Sequence, residues 1–211
     1  MIGKTISHFR VLEKLGEGGM GEVYLAEDIV LTRKVALKVL QSAVIEDQHR
    51  LGRFRREAQT VAALNHPNIV TIYSVEEFDG IPLLAMEYVE GESLQDIIDA
   101  GPLSSDEFFA IVHPVLDALV WAHSQGVTHR DLKPSNIMRG RDGRIRVIDF
   151  GLAKLASSEI GDAAASDEAT LTRDGWLVGT IPYMSPEQLP GHEIDQRTDI
   201  FSLGIVFHEM L

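Results

Sequence analysis

A single predicted β-hairpin constrains the fold of this chain more than any other feature of its sequence. The turn Asp142-Gly143 stands between two short apolar runs, and Asp-Gly in that setting is a strong hairpin signal. Because a hairpin brings its two ends together, we expect Asn136 and Asp149 to meet. Two oxygen-bearing side chains suited to a metal ion would then lie close to a candidate base, Asp131.

Composition and charge restrict the classes of protein to which the chain can belong. Its 211 residues suit one large domain or two small lobes, and a hydrophobic fraction of 45% is enough to form a core. The net charge of -13 argues against general nucleic-acid binding, which needs a basic face. Because the sequence has no cysteine, disulfides and thiolate metal sites are excluded.

Targeting signals are not apparent in the sequence. The N-terminal residues lack the apolar run of a signal peptide. No stretch approaches the ~18 apolar residues of a membrane helix. We therefore expect a soluble, cytoplasmic chain.

The first third of the chain alternates apolar and polar residues, which is typical of strands, around one helical stretch. The predicted helix is Arg50–Leu64, which Pro67 prevents from continuing. The predicted strands are Phe9–Leu15, Glu22–Glu27, Lys34–Leu40, Ile69–Val75 and Ile81–Tyr88.

The remainder of the chain is mainly helical in pattern. Ser104 and Glu107 form a predicted capping box for a helix that runs to about Ser124, and we expect a bend at Pro114. Two further segments are predicted, an apolar helix at Ile200–Leu211 and a mobile loop at Ala156–Thr170.

A glycine-rich stretch, Gly16–Val23, fits the pattern G-x-G-x-x-G-x-V. Dinucleotide-binding folds use similar glycines, but there the third glycine opens a helix, whereas Gly21 is followed by strand-like alternation. Glycine lets main-chain amides approach phosphate oxygens, so the stretch is either a phosphate-binding loop or a plain tight hairpin. Lys38 follows on the next predicted strand, as either a phosphate ligand or an ordinary exposed lysine.

Several motifs occur together in a fixed order. Residues 129–136 read His-Arg-Asp-Leu-Lys-Pro-Ser-Asn, and residues 149–151 read Asp-Phe-Gly. With the glycine-rich stretch and Val35–Lys38, they resemble the motifs of the protein kinase family. A lysine two residues after the aspartate is a feature in which the chain resembles the serine/threonine kinases. The residues of the motifs are similar to those of bacterial kinases of the eukaryotic type.

The resemblance implies an α+β fold of two lobes. A small lobe, residues 1–87, would combine an antiparallel β-sheet with one main helix and bind the nucleotide. A mainly helical large lobe, residues 88–211, would carry the catalytic loop and the activation segment. Kinase domains of this family continue beyond the last helix seen here. We therefore expect a truncated large lobe, a chain prone to self-association, and a longer parent protein. In this family the chain often continues to a linker, a membrane helix and a sensor domain.

The resemblance also assigns chemical roles to individual residues. Asp131 would accept or orient the proton of the substrate hydroxyl, and Lys133 would neutralise the γ-phosphate of ATP. Lys38, paired with Glu57, would hold the α- and β-phosphates. The implied Mg2+ ligands are Asn136 and Asp149.

The implied nucleotide site combines the glycine-rich stretch, the next strand and the hinge. Leu15 and Val23 would sandwich the adenine, and main-chain groups of Glu87 and Val89 would bond its edge. The implied nucleotide-binding residues are Leu15, Gly16, Glu17, Gly18, Gly19, Met20, Gly21, Glu22, Val23, Ala36, Lys38, Met86, Glu87, Val89 and Met138.

Supporting roles are implied for residues around these motifs. Asp199 would support the main chain of the catalytic loop, and His129 would be a packed core residue rather than a metal ligand. Gly179–Glu187 resembles the substrate-docking end of the activation segment. A phosphate on either of two threonines could pair with an arginine and order that segment, plain loop threonines being the alternative; the residues are Thr170, Thr172 and Arg130.

Two functions are compatible with these motifs. The first is a protein serine/threonine kinase that transfers the γ-phosphate of ATP to serine and threonine hydroxyls of proteins, its own included. The alternative is a truncated nucleotide-binding fragment without phosphotransfer activity. A dinucleotide-dependent dehydrogenase is excluded by the strand after Gly21 and by the Asp-Phe-Gly motif.

Overall fold

The structure, a computed structural model, describes residues 1–18, 21–40, 52, 56, 58–150, 181–188 and 194–211. The chain divides into two compact units. Unit 1 comprises Met1–Asn65 and Val70–Val89, and unit 2 comprises His66–Ile69 and Glu90–Leu211. Each unit has its own β-sheet.

Unit 1 contains a six-stranded sheet. Its strands are β1 Thr5–Ile6, β2 Phe9–Gly18, β3 Gly21–Asp28, β4 Arg33–Leu40, β5 Ile72–Phe78 and β6 Ile81–Glu87. They are arranged in the order β1-β2-β3-β4-β6-β5, and each neighbouring pair is antiparallel. The three strands predicted before the helix are therefore confirmed.

The predicted strand Ile69–Val75 starts three residues before the observed strand β5, Ile72–Phe78. β5 starts at Ile72, because Asn68 and Ile69 belong to unit 2 and pair with Val147 there. The N–H of Val147 donates to Asn68 O at 2.8 Å, and Ile69 forms a parallel bridge with Val147. The apolar pattern of this stretch thus belongs to two different sheets, which periodicity cannot distinguish.

The apolar core of unit 1 lies on one face of the sheet. Side chains alternate between the two faces of a strand, so alternate residues of β3 (Tyr24, Ala26) and β4 (Val35, Leu37, Val39) enter this core. Burial of a large apolar side chain stabilises a fold by roughly 1.5–3 kcal/mol. The core residues are Ile6, Phe9, Val11, Tyr24, Ala26, Val35, Leu37, Val39, Leu83 and Ala85.

The predicted helix Arg50–Leu64 is described only in part. Residues 52, 56 and 58–62 are helical, and this helix is called α1. Ala58 and Val61 are buried, as their helical spacing predicts. Glu57 lies outside the described residues.

The larger part of unit 2, Glu90–Leu211, begins with a short strand, β7 Gly91–Ser93. This strand leads into α2 Leu94–Ala100 and α3 Ser105–Ser124. The predicted capping box of α3 is confirmed, since Ser104 and Glu107 exchange side-chain to main-chain hydrogen bonds. Helix α2 was not predicted, although Ser93 and Asp96 form the same kind of box. Its seven residues are too few for a periodic pattern to stand out.

The hairpin predicted around Asp142 and Gly143 is confirmed. Its strands are β8 Ile137–Gly140 and β9 Ile145–Val147, which form a sheet in the order β7-β8-β9. Gly143 has a φ of 75°, in the left-handed region that glycine adopts without steric cost.

The last helix, α4, spans Arg197–Glu209, close to the predicted position. On the apolar side of this helix, Leu203, Val206 and Met210 are buried within this chain. Exposure is confined to other positions, such as Ile200 and Phe201. The predicted bend at Pro114 stays a prediction, and the predicted loop Ala156–Thr170 lies outside the described residues. Of the helices that the structure describes, none combines the length and the hydropathy needed to span a bilayer.

Candidate active site

The glycine-rich stretch forms the end of the hairpin between β2 and β3. Gly18 pairs with Gly21, while Gly19 and Met20 lie outside the described residues. Gly21 has a φ of 137°, and a Cβ at this position would lie 2.0 Å from Val39 O. Only glycine fits there. A strand, not a helix, follows Gly21, which confirms the distinction from dinucleotide-binding folds.

Lys14 partners the two acidic side chains of this hairpin. Its Nζ lies 2.6 Å from Glu17 Oε2 and 2.6 Å from Glu22 Oε1. Hydrogen bonds from Lys14, and then from the Tyr24 hydroxyl, lower the pKa of Glu22. Because carboxylates repel phosphate, any contact of Glu17 or Glu22 with a nucleotide phosphate would have to come from their main chains.

Lys38 lies on the face of the sheet opposite the apolar core. Val23, Lys38 and Leu84 are direct partners across β3, β4 and β6, and Ala36 partners Met86. Partners in an antiparallel sheet share a face, so this face carries Val23, Ala36, Lys38 and Met86. Lys38 is only 4% exposed, so it is not the ordinary exposed lysine that the sequence left as an alternative.

The end of β6 holds the implied hinge residues. The N–H of Glu87 donates to Thr71 O at 2.9 Å, so a bond from this residue to an adenine edge would come from its carbonyl. Val89 follows the strand and is half-buried. Leu15 is 42% exposed. Met138 lies on β8 in unit 2.

Three of the predicted catalytic and metal-binding residues are bonded together in unit 2. Lys133 Nζ donates to Asp131 Oδ2 at 2.8 Å. Asn136 Nδ2 donates to Asp131 O at 2.8 Å, which satisfies the buried carboxamide through the main chain of its own loop. The structure therefore brings Asp131, Lys133 and Asn136 into one group.

Oδ1, the other carboxylate oxygen of Asp131, has a different environment from Oδ2. Oδ1 is buried and has no hydrogen-bond partner among the residues that the structure describes. A buried acceptor without a partner costs about 1–3 kcal/mol, so such atoms are uncommon and call for an explanation. With Oδ2 occupied by Lys133, Oδ1 can accept a hydrogen bond from a substrate hydroxyl. A general base requires such an atom.

His129 supports the loop from inside. It is completely buried, with 0% exposure, which confirms the prediction of a packed core histidine. Its Nε2 bonds Ile148 O at 2.9 Å, and the N–H of Asp131 donates to its Nδ1 at 3.3 Å. Because a carbonyl only accepts and an amide only donates, the ring is the neutral Nε2–H tautomer. The ring also packs against Phe150 at 4.7 Å.

Asp199 on α4 bonds the main chain of the loop, as predicted. Its carboxylate accepts the N–H groups of His129 and Arg130, each at 2.8 Å, and contacts His123 Nε2 at 2.7 Å. Burial by itself would raise the pKa of Asp199. The hydrogen bonds from His123 and from the two amides outweigh burial and hold this pKa below its usual range.

The hairpin places the two implied metal ligands at its two ends. The N–H of Ile148 donates to Asn136 O at 2.9 Å, and Asp149 follows with a φ of 61°. Such a φ is uncommon outside glycine and marks local strain. The donor set, one carboxamide oxygen and one carboxylate, fits Mg2+, which often takes one or two protein ligands beside phosphate and water. In the described part of the chain, no group of three or more His, Asp or Glu could hold a metal ion.

Residues 181–188 are anchored to α4. Ser202 Oγ donates to Tyr183 O at 2.7 Å, and the hydroxyl groups of Ser185 and Thr198 are hydrogen-bonded. The segment that resembles a substrate-docking element is therefore attached to the helix that carries Asp199. Thr170 and Thr172 lie outside the described residues.

Two residues near this site were not predicted. His123 bonds Asp199, and Gln188 Nε2 donates to Arg130 O at 2.8 Å. A histidine in the last turn of a helix commonly interacts with the helix carbonyl groups, so the sequence does not assign His123 to a carboxylate. Gln188 contacts main-chain atoms, which no sequence pattern identifies.

The sequence of this chain is similar to known proteins. It matches the model of the protein kinase domain over residues 9–211. It is 43% identical over 213 residues to the serine/threonine-protein kinase PrkC of Bacillus subtilis, which covers 100% of this chain and 31% of PrkC. It is 43% identical over 202 residues to PknB of Mycobacterium leprae, covering 93% of this chain and 31% of PknB. The chain thus spans about a third of the length of these relatives.

The structure is also similar to solved structures. The kinase domain of Mycobacterium tuberculosis PknI superimposes with a TM-score of 0.76 and 31% identity, covering 100% of this chain and 74% of that one. A double mutant of the same domain gives a TM-score of 0.77 with 30% identity, covering 100% and 77%. The predicted α+β kinase fold is confirmed. The chain belongs to the protein kinase domain family.

Proposed function

We propose that this chain is a protein serine/threonine kinase that transfers the γ-phosphate of ATP to serine and threonine hydroxyls of proteins, its own included. The observation that carries the proposal is Asp131 Oδ1, a buried oxygen without a partner among the described residues. Beside it, Lys133 holds Oδ2. A carboxylate arranged in this way can accept the proton of an alcohol.

Each residue of the catalytic loop has a separate task in the proposed reaction. Asp131 orients the substrate hydroxyl and accepts its proton as the new oxygen–phosphorus bond forms, while the bond between the γ-phosphorus and the bridging oxygen of ATP breaks and ADP leaves. Lys133 offsets the negative charge on the γ-phosphoryl group. Phosphoryl transfer depends on positioning and charge neutralisation more than on covalent chemistry. A loop whose amides are fixed by Asp199 suits that requirement.

Unit 1 supports the nucleotide-binding part of the proposal. Lys38 shares one face of the sheet with Val23, Ala36 and Met86, so this face combines a cation suited to phosphate with apolar side chains suited to adenine. We assign residues 1–87 to nucleotide binding and residues 88–211 to catalysis, in keeping with the two units.

ATP and Mg2+ are the proposed cofactors. Asn136 and Asp149 would hold the ion, and the bound ion would neutralise phosphate charge. The proposed substrates are proteins. Exclusion of nucleic acid is based on the net charge of -13 alone, and it stays a prediction, as do self-association and a cytoplasmic location.

A second candidate function is nucleotide binding without phosphate transfer. The observation that favours it is the exposed apolar surface of α4, where Ile200 is 56% and Phe201 43% exposed. The same helix supplies Asp199 to the catalytic loop. If that surface weakens the packing of α4, unit 1 would bind nucleotide while the catalytic loop lost its support.

Substitution of Asp131 by Asn tests the proposal. The carboxamide keeps the size of the side chain but cannot accept the proton, so phosphate transfer should fall by about a hundredfold to ten-thousandfold. Transfer is measured with labelled ATP on a protein substrate, followed by phosphoamino-acid analysis, and nucleotide binding is measured by calorimetry.

Asp117→Asn is the matched control, because Asp117 is an exposed carboxylate on α3. This variant should transfer phosphate at the wild-type rate. Equal rates for Asp131→Asn and the wild type would contradict the assignment of the base. A wild-type chain that binds ATP but transfers nothing would support the second candidate function.

A further inference from the structure

We infer that Gln188 is a positioning residue that fixes the peptide group carrying the Asp131 amide and couples it to residues 181–188. The inference deepens the proposed kinase function and depends on it. Gln188 lies at the end of a 3-10 turn, Pro186–Gln188, outside the catalytic loop in sequence.

The side chain of Gln188 bridges two main-chain groups. Its Oε1 accepts the N–H of Ser185 at 2.9 Å, and its Nε2 donates to Arg130 O at 2.8 Å. The orientation of the carboxamide is fixed by its partners, because an amide N–H can only donate and a carbonyl can only accept. Among side chains of this length, only glutamine supplies both an acceptor and a donor.

The carbonyl group to which Gln188 donates belongs to Arg130, whose backbone conformation is unusual. Arg130 has a φ of 68°, which a non-glycine residue adopts only when its surroundings enforce it. The carbonyl of Arg130 and the N–H of Asp131 lie in the same planar peptide unit. That N–H donates to His129 Nδ1 at a long 3.3 Å. Gln188 therefore makes the shorter of the two bonds that set the orientation of this peptide.

The other end of the bridge is anchored. Tyr183 OH donates to Glu209 Oε2 at 2.8 Å, and burial together with this bond raises the pKa of Tyr183 to about 12. The hydroxyl groups of Ser185 and Thr198 add a second attachment to α4. Gln188 thus transmits the position of an anchored segment to the peptide next to the proposed base.

If Gln188 had a purely structural role, only its hydrogen bond to the Ser185 N–H would matter. The 3-10 turn is closed by the Gln188 N–H, which donates to Ser185 O at 3.0 Å. The side-chain bond to the Ser185 N–H would stabilise residues 185–188 further, whatever happened in the catalytic loop. The bond to Arg130 O is the one that acts on Asp131. A substitution that removes the donor and keeps the acceptor separates the two roles.

Gln188→Glu is that substitution. It retains an oxygen for the Ser185 N–H but removes the donor to Arg130 O. Gln188→Met removes both the acceptor for the Ser185 N–H and the donor to Arg130 O without adding charge. Gln196→Glu is the matched control, because Gln196 is exposed and undergoes the same chemical change.

Hydrogen exchange of the peptide that contains residues 129–132 is the first readout, since it does not require turnover. We expect exchange of the Asp131 amide to rise at least tenfold in both Gln188 variants and to stay at the wild-type rate in Gln196→Glu. Unchanged exchange in the Gln188 variants would overturn the inference.

Steady-state kinetics is the second readout. We expect kcat to fall about tenfold or more in Gln188→Glu, with KM for ATP unchanged, because the substitution acts on the base and not on nucleotide binding. A kcat within twofold of the wild type would also overturn the inference. If the wild type itself transfers no phosphate, the proposed function fails, and the exchange result still decides whether Gln188 positions the peptide.

Discussion

At the level of single residues, the carboxylate of Asp199 meets three donors in a fully buried position, with 0% exposure. Asparagine in its place has one acceptor oxygen, and its NH2 group would face a main-chain N–H. One buried amide would then lose its partner, which costs about 1–3 kcal/mol. We expect Asp199→Asn to lower the free energy of unfolding by that amount, as measured by urea denaturation at neutral pH.

Lowering the pH should remove the stabilisation that the Asp199 carboxylate provides. The pKa of Asp199 is lower in the folded chain than its ordinary value, so its contribution is present above the unfolded pKa of about 4 and is lost as pH falls through the folded pKa. The difference between wild type and Asp199→Asn should therefore shrink in acid. Asp195→Asn, an exposed carboxylate that pairs with Arg197, serves as the control and should have little effect. A difference between wild type and Asp199→Asn that is constant with pH would contradict this account.

The identities of the bonded residues in the proposed catalytic loop were predictable, but their detailed contacts were not. Asp131, Lys133 and Asn136 stand close together in one motif, so their proximity follows from the sequence. The bond from Gln188 to Arg130 O joins residues far apart in sequence and uses a main-chain acceptor. A main-chain carbonyl occurs at every position, so nothing in the sequence marks Arg130 O as the partner.

At the level of secondary structure elements, the hairpin between β2 and β3 depends on Gly21. An added Cβ would combine an unfavourable φ of 137° with a contact of 2.0 Å to Val39 O. We expect Gly21→Ala to destabilise unit 1 by at least about 1 kcal/mol and to lower its thermal midpoint in the absence of nucleotide.

Gly16→Ala is the matched variant in the same stretch. A Cβ at Gly16 would meet no atom within 4 Å among those that the structure describes. The thermal midpoint of Gly16→Ala should therefore stay close to that of the wild type. Equal midpoints for Gly21→Ala and the wild type would show that the backbone of β4 moves away more easily than the geometry indicates.

Elements with strong local signals were predicted well from the sequence. The capping box at Ser104 and the Asp142-Gly143 turn each combine a specific residue type with a specific backbone need, and both are confirmed. The start of β5 and the existence of α2 were not predicted correctly. Both depend on which partner a short apolar stretch finds in the folded chain, and local propensity does not encode that choice.

At the level of the whole molecule, Lys38, proposed to bind the nucleotide, lies in unit 1, and Asp131, proposed as the base, lies in unit 2. In unit 2, α4 connects the catalytic loop through Asp199 and residues 181–188 through Ser202. Leu203, Val206 and Met210 of α4 are buried within this chain, whereas Phe201 and Leu211 are exposed. Sequence periodicity identified the apolar residues of this helix but could not show which neighbours cover them.

The most direct test of kinase activity is the intact mass of the dephosphorylated chain after incubation with Mg-ATP, compared with that of Lys38→Met. Lys38 is buried on the proposed nucleotide-binding face, and methionine keeps its length without its charge. We predict that the wild type gains phosphate on serine or threonine and that Lys38→Met does not. A wild-type chain whose mass stays unchanged while it also leaves a protein substrate unphosphorylated would contradict the assignment of kinase activity to this chain.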